Sequence, residues 1–245
     1  MTDAEVAQAP AGTDDGAPGL RERKKQRMYQ AISEAAIALF LAKGFEKVPV
    51  AEVAAAAQIS KPTLFRYFPT KEDLVLHRFA DHLDEAARVV TARPAKRSPL
   101  DALQRHFLDG LERHDPVTGL CDNVHVLAFH RLLYGTPSLV ARLYGYQEQS
   151  ERALGEALSK ASSTEAAEAE APDAETSDAV ASSPEAAALT ARLAAGQIIA
   201  VQRILALENW RRIDAGESAE AVWPDAVVTA NRAFGQLRSG LTRYA

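Results

Sequence analysis

The sequence predicts an all-α protein, on three observations. Apolar residues recur at intervals of three and four along most of the 245-residue chain, the period of one helix face. No segment alternates polar and apolar side chains for long enough to form a half-buried strand. Finally, Ser98-Pro99, Thr136-Pro137 and Ser183-Pro184 each precede an apolar run. There the hydroxyl caps a helix, and the proline's missing N–H costs nothing in the first turn.

The elements follow in order. Met28, Ile32, Ala35, Ala36, Leu39 and Phe40 mark one face of a first helix, which begins at Arg21 and is stopped by Gly44. Phe45 stands where a residue beyond a glycine C-cap folds back on the last turn. A short second helix carries Val50, Val53, Ala54 and Ala57 on one side, with Pro49 in its first turn. Gln58 and Ile59 break the chain, and Ser60 caps a third helix ending near Phe68-Pro69. Thr70 caps a long fourth helix, with Glu72 and Asp73 in the first turn, where acids suit the dipole. Beyond Arg93-Pro94, helices are expected from Ser98 to about His114, from about Cys121 to Tyr134, and from Thr136 to about Lys160. A long helix opens at Ser183 and ends before Gly216, and a last one runs from Ser218 to Gly240 with Pro224 in its early turns.

Charge divides the chain more sharply than its net value of −5 suggests. Residues 1–20 hold four acids and no base, with few large apolar side chains, and read as a disordered acidic tail. Residues 21–71 hold ten bases and four acids, a local +6. Residues 161–183 form an Ala-, Glu- and Ser-rich acidic stretch without apolar periodicity, expected to be a mobile insertion. The basic charge is thus gathered on one small region, as an anion-binding surface requires. The most apolar run, Leu193 to Leu207, is interrupted by Gln197, Gln202 and Arg203, so no membrane partner is expected. A basic start followed by an apolar stretch is missing, and Cys121 is the single cysteine; both fit a cytoplasmic protein.

Two short helices joined by a tight turn, the second basic, spell a helix-turn-helix over residues 21–70. Leu64 and Phe68 are four apart and share an inward face, which turns Lys61, Thr63, Arg66 and Tyr67 outward toward base edges and phosphates. Lys71, behind that helix, is placed to hold a phosphate. The basic cluster Arg21, Arg23, Lys24, Lys25 and Arg27 is placed to flank the duplex or enter a minor groove. A single short helix reads few base pairs, so a second copy on a palindromic double-stranded operator is implied.

The segment "AISEAAIALFLAKGFEKVPVAEVAAAAQISKPTLFRYFPTKEDLV" closely resembles the N-terminal domain of the TetR family of transcriptional regulators. The resemblance implies a nine-helix homodimer, with three DNA-binding helices joined to a ligand-binding and dimerisation domain. It implies base contacts from Lys61, Pro62 and Thr63, contacts to base edges or backbone from Phe65, Tyr67 and Lys71, and core roles for Leu64 and Phe68. The pattern departs at three positions. Phe65 stands in place of the usual Tyr, Val48 in place of a capping hydroxyl, and Gln58 where Gly is common, at about 1 kcal/mol of strain if left-handed.

In the larger half, residues 71–245, the stretch from Val124 to Leu133 is apolar nearly all round yet carries His125, His130 and Arg131. The helix after Pro184 similarly carries Gln202, Asn209 and Trp210. Buried polar groups need partners within the protein or from a ligand. The candidate lining of an effector pocket is therefore His125, Phe129, His130, Leu133, Tyr144, Gln147, Gln202, Asn209 and Trp210. Core histidines satisfied by backbone carbonyls are the competing reading. "HRLLYGTPSLVARL" resembles a loose pattern of actinomycete-type members, which implies an acyl-CoA-like or other lipophilic effector. Ile198, Val201, Leu205, Trp223, Val227 and Phe234 are expected to supply the outer stripe of a four-helix dimer interface. Histidines five apart, His77 with His82 and His125 with His130, miss the spacing of a helical metal pair, and no cofactor motif is present. No constellation points to an enzyme. The function expected is a ligand-responsive homodimeric repressor; an activator or ligand-independent regulator of the same fold, or an interaction module using the acidic insertion, are the alternatives.

Overall fold

The computed structural model describes residues 20–169 and 183–244. Among them are ten α-helices, three short 3-10 segments and no strand. The acidic tail at residues 1–19 and the insertion's residues 170–182 lie outside the described residues.

Helix α1 (Leu20–Lys43) ends as its sequence dictates. Gly44 adopts φ 89°, its N–H closes on the Phe40 carbonyl at 2.8 Å, and the Phe45 ring returns to 4.9 Å from that of Phe40. Helix α2 (Val50–Ala56) starts after Pro49, which occupies the N-cap rather than the first turn and leaves the cap without a side-chain hydrogen bond. Gln58 makes the turn at φ 56°, the left-handed geometry that a glycine adopts without strain. Helix α3 (Lys61–Tyr67) follows, with Ser60 as its cap.

The predicted long fourth helix is broken. Thr70 and Asp73 do cap each other reciprocally, at 3.1 and 3.2 Å, but α4 spans only Asp73–Leu76. A 3-10 segment, His77–His82, then leads to α5 (Glu85–Thr91). The break coincides with aromatic packing: His77 stacks on Tyr29 at 5.0 Å and meets the edge of Phe68 at 5.5 Å.

Helix α6 (Pro99–Glu112) runs from the Ser98 cap and stops short of His114, which turns left-handed at φ 52°. A 3-10 turn, Pro116–Thr118, precedes Gly119. Gly119 has φ 73°, and a Cβ there would lie 1.9 Å from the Ala206 carbonyl oxygen, so the turn abuts a distant backbone that only glycine permits. Helix α7 (Val124–Tyr134) is capped by Asn123, a few residues later than expected. Helix α8 (Pro137–Ala169) outruns its predicted end near Lys160. The reason is burial: Ala161 and Ser162 are covered, so the first residues of the acidic stretch continue the helix instead of opening a loop. Helices α9 (Pro184–Asp214) and α10 (Ala219–Gly240) match their predicted caps at Ser183 and Ser218, and Pro224 is absorbed in α10's second turn.

Two apolar cores result. The smaller gathers Ile32, Phe40, Val53, Leu64, Phe68 and Leu74, and also takes in Phe129, Leu133 and Leu139 from α7 and α8. The larger joins α5, α6, α8, α9 and α10. The boundary expected at residue 71 is therefore crossed by packing, because α4 belongs with the first core and α7 leans on it. Among the described residues no helix is long and apolar enough to cross a membrane.

Candidate functional site

The exposed face of α3 is built by its cap and its buried face. Ser60 Oγ accepts the Thr63 N–H at 3.2 Å and lies 2.8 Å from Thr63 Oγ1, which fixes the first turn. Leu64 and Phe68 are wholly buried and hold the helix against α1 and α2. What remains outside is the predicted set: Lys61, Pro62, Phe65 and Arg66 are exposed, and Thr63 and Tyr67 half-buried. The Phe65 ring has no hydroxyl for a phosphate; instead the Lys61 ammonium lies 5.9 Å from its centre.

The basic cluster is helical, as part of α1. Arg21, Lys24, Lys25 and Met28 recur on one face and line a surface cleft with Arg66 and Tyr67 of α3. The cleft joins the predicted Lys24, Arg66 and Tyr67 in one basic surface. Arg23 and Arg27 are exposed but do not line it. Tyr29, beneath, meets Tyr67 edge to face at 4.9 Å, so α3 is keyed to α1 through its aromatic face. Lys71 is half-buried. Its ammonium donates to the Phe45 carbonyl and lies 4.4 Å over the Phe45 ring, closing the end of α1.

Helix α4 links this head to the rest. Ser33 Oγ donates to the Leu74 carbonyl at 2.7 Å in the buried interior. From the other side Arg142 of α8 donates to Asp73, Nε to Oδ1 at 2.9 Å and Nη2 to Oδ2 at 3.3 Å. This fork-on-carboxylate pairing raises the Arg142 pKa above its ordinary value.

The predicted effector residues do not form one pocket. Phe129 and Leu133 pack in the smaller core, and His125 and Tyr144 are exposed. Gln147 is half-buried. Asn209 is buried because its amide donates to the Thr118 carbonyl at 2.9 Å, a structural tie. His130 and Trp210 do come together, their rings 6.3 Å apart with Tyr134 beside them. His130 Nδ1 and Trp210 Nε1 are buried without a hydrogen-bond partner. Burial pushes the His130 imidazole down to about 4 and the Tyr134 phenol up.

Gln202 lies elsewhere, in a half-open cavity of about 180 Å³ lined by α5, α6, α8, α9 and the 3-10 turn. Leu103, Phe107, Ile199 and Ala206 supply apolar wall, and Arg113 and Arg203 supply charge. On its margin the Glu85 carboxylate lies 2.7 Å from His82 Nδ1 and 3.0 Å from His106 Nε2. Hydrogen bonds from His106 first and His82 second hold that carboxyl far below the usual range. Sequence reasoning missed this group. The His82–Glu85 interval of three was visible, but His106 arrives from another helix.

Comparison with known proteins bears on this geometry. Residues 32–77 match the family model described as bacterial regulatory proteins, tetR family. The chain is 32% identical over 162 residues to the HTH-type transcriptional regulator TcmR of Streptomyces glaucescens, covering 65% of this chain and 71% of that protein. It is 31% identical over 102 residues to the HTH-type transcriptional repressor KstR of Rhodococcus jostii, spanning 40% of this chain and 44% of KstR. Among solved structures, a TetR-family regulator from Mesorhizobium loti superposes with TM-score 0.50 at 17% identity, over 88% of this chain and 97% of that one. NalD of Pseudomonas aeruginosa does so with TM-score 0.50 at 14% identity, over 85% and 97%. At such identities the superpositions speak for the fold.

Proposed function

Because the chain belongs to the TetR family of bacterial regulatory proteins, we propose that it is a homodimeric repressor, not an enzyme, working in the cytoplasm and released from its operator by a small molecule. The observation that supports this reading most directly is the outward face of α3. Lys61, Phe65 and Arg66 are exposed on a helix whose other face is locked into the core. Lys61, Pro62, Thr63 and Phe65 meet base edges in this reading. Arg66 and Tyr67, with Arg21, Lys24 and Lys25 across the cleft, straddle the backbone. Arg23 and Arg27 add charge along α1.

Two copies are needed for a palindrome, and α9 and α10 offer the face. Leu189, Leu193 and Ile204 fall on one side of α9 and remain more than half exposed, with Trp223 and Val228 exposed on α10. Ile198, Leu205 and Phe234, expected on the outer stripe, are buried in the chain's own core instead. The helix phase is rotated because its inner side packs on α8 and α10. The effector would occupy the cavity behind α5. Its effect would pass through the 3-10 segment to α4, changing the spacing of the two reading heads; such coupling is typically 1–3 kcal/mol.

The test is a footprint of the full chain on DNA upstream of its own coding region, repeated over a salt series. A protected palindrome spanning one to two helical turns, with affinity falling steeply as salt rises, is the expected result. Weak binding everywhere without a protected palindrome would overturn it.

A further inference from the structure

The cavity behind α5 has a chemistry that its occupant must complement. Its acidic groups are engaged: both Glu85 oxygens face imidazole nitrogens, and Asp115 Oδ1 accepts the Val117 N–H at 3.0 Å within its own turn. The donors are not. Arg203 is half-buried on α9 and Arg113 exposed at the rim; neither guanidinium has a hydrogen bond or ion pair among the described residues, and the Gln202 amide is likewise uncommitted. A half-buried guanidinium in a cavity with apolar lining calls for an acceptor, and its planar fork matches a carboxylate best.

Volume narrows the choice. At about 180 Å³ the cavity has room for roughly six waters and falls below the roughly 300–1,000 Å³ of sites that take drug-sized ligands. An acyl-CoA does not fit inside it as it stands. Leu103, Phe107 and Ile199 offer contact for a single ring or a short chain.

We propose that this cavity binds a compact monocarboxylate, its carboxylate on Arg203 with Arg113 and Gln202 assisting and its apolar body against Leu103, Phe107 and Ile199. The proposal rests on the ligand-responsive reading above and names the chemical class of the ligand.

The probes are benzoate, phenylacetate and hexanoate, each paired with its neutral amide. Binding to the full-length protein is measured by titration calorimetry. At least one acid should bind about tenfold or more tightly than its amide, the loss expected when a charge-assisted pair becomes a neutral one. Arg203→Met should erase that preference, with circular dichroism confirming that the variant is folded. Acid and amide binding alike, or no acid binding, would overturn the assignment; this comparison needs only the parent protein and stands even if the variant fails to fold.

The same compounds are then added to the protein on its footprinted DNA. An acid that binds through Arg203 without releasing DNA supports the site and sinks the ligand-responsive reading. Release by a long neutral lipophile, with the acids inert, keeps that reading and overturns the carboxylate.

Discussion

At the scale of single residues, His130 carries the clearest pH signature. An unfolded histidine titrates near 6.5, and burial holds this one at about 4. A depressed imidazole stays neutral in the fold. Its contribution is therefore intact above pH 6.5 and is lost as the pH falls from 6.5 toward 4, where the unfolded chain takes up a proton that the native state refuses. The full loss is about 3 kcal/mol. Urea midpoints of the parent should fall across that window more steeply than those of His130→Phe, which has no proton to refuse; parallel curves would contradict the burial argument. Lys71 offers a second test. Its ammonium caps the Phe45 carbonyl and lies over the Phe45 ring, so Lys71→Met should lower unfolding stability by about 1–2 kcal/mol. A phosphate contact alone would leave the urea midpoint unchanged and remove about one ion from the salt slope.

At the scale of elements, α4 is a short helix held from two sides at its start, by Ser33 on Leu74 and Arg142 on Asp73. Arg142→Met leaves the buried Asp73 carboxylate without its cation, at about 1–2 kcal/mol once the partial exposure of Arg142 is allowed for. Effector-driven release of DNA, measured by fluorescence anisotropy, should weaken in that variant, whereas unchanged release would mean the signal travels elsewhere. How far such elements were legible depends on where their determinants lie. Helix α3 was readable almost entirely, because Ser60, Pro62, Leu64 and Phe68 act within one or two turns. The break after Leu76 was not, because it coincides with His77 packing against Tyr29, far back in the chain. The phase of α9 was hidden for a different reason: its apolar residues run nearly all round, so Ile198 and Ile204 read alike until neighbours are in place. The Glu85 bridge joins His82 to His106 across helices, a pairing with no period to find. Phe129 and Leu133 looked like pocket wall for the same reason that any apolar core residue does.

At the scale of the molecule, the second copy in the proposed dimer would set how well one short helix can read DNA. Leu193→Asp, on the exposed α9 face, should give a monomer by light scattering. Operator affinity should drop about a hundredfold or more, since the second half-site is no longer engaged at high effective concentration. A variant that stays dimeric would move the interface off this face. The tightest fit in the fold has a mechanical consequence. Gly119 sits against the Ala206 carbonyl, Asn209 ties α9 to the same turn, and Asp122 accepts the Ala219 N–H at 3.0 Å, tying in α10. That side of the cavity is a fixed jamb, backbone against backbone. The opposite side, α5, has only seven residues and follows directly on the 3-10 break. Under the ligand-responsive reading, a guest too large for the space would act as a wedge against α5, away from α9 and toward α4.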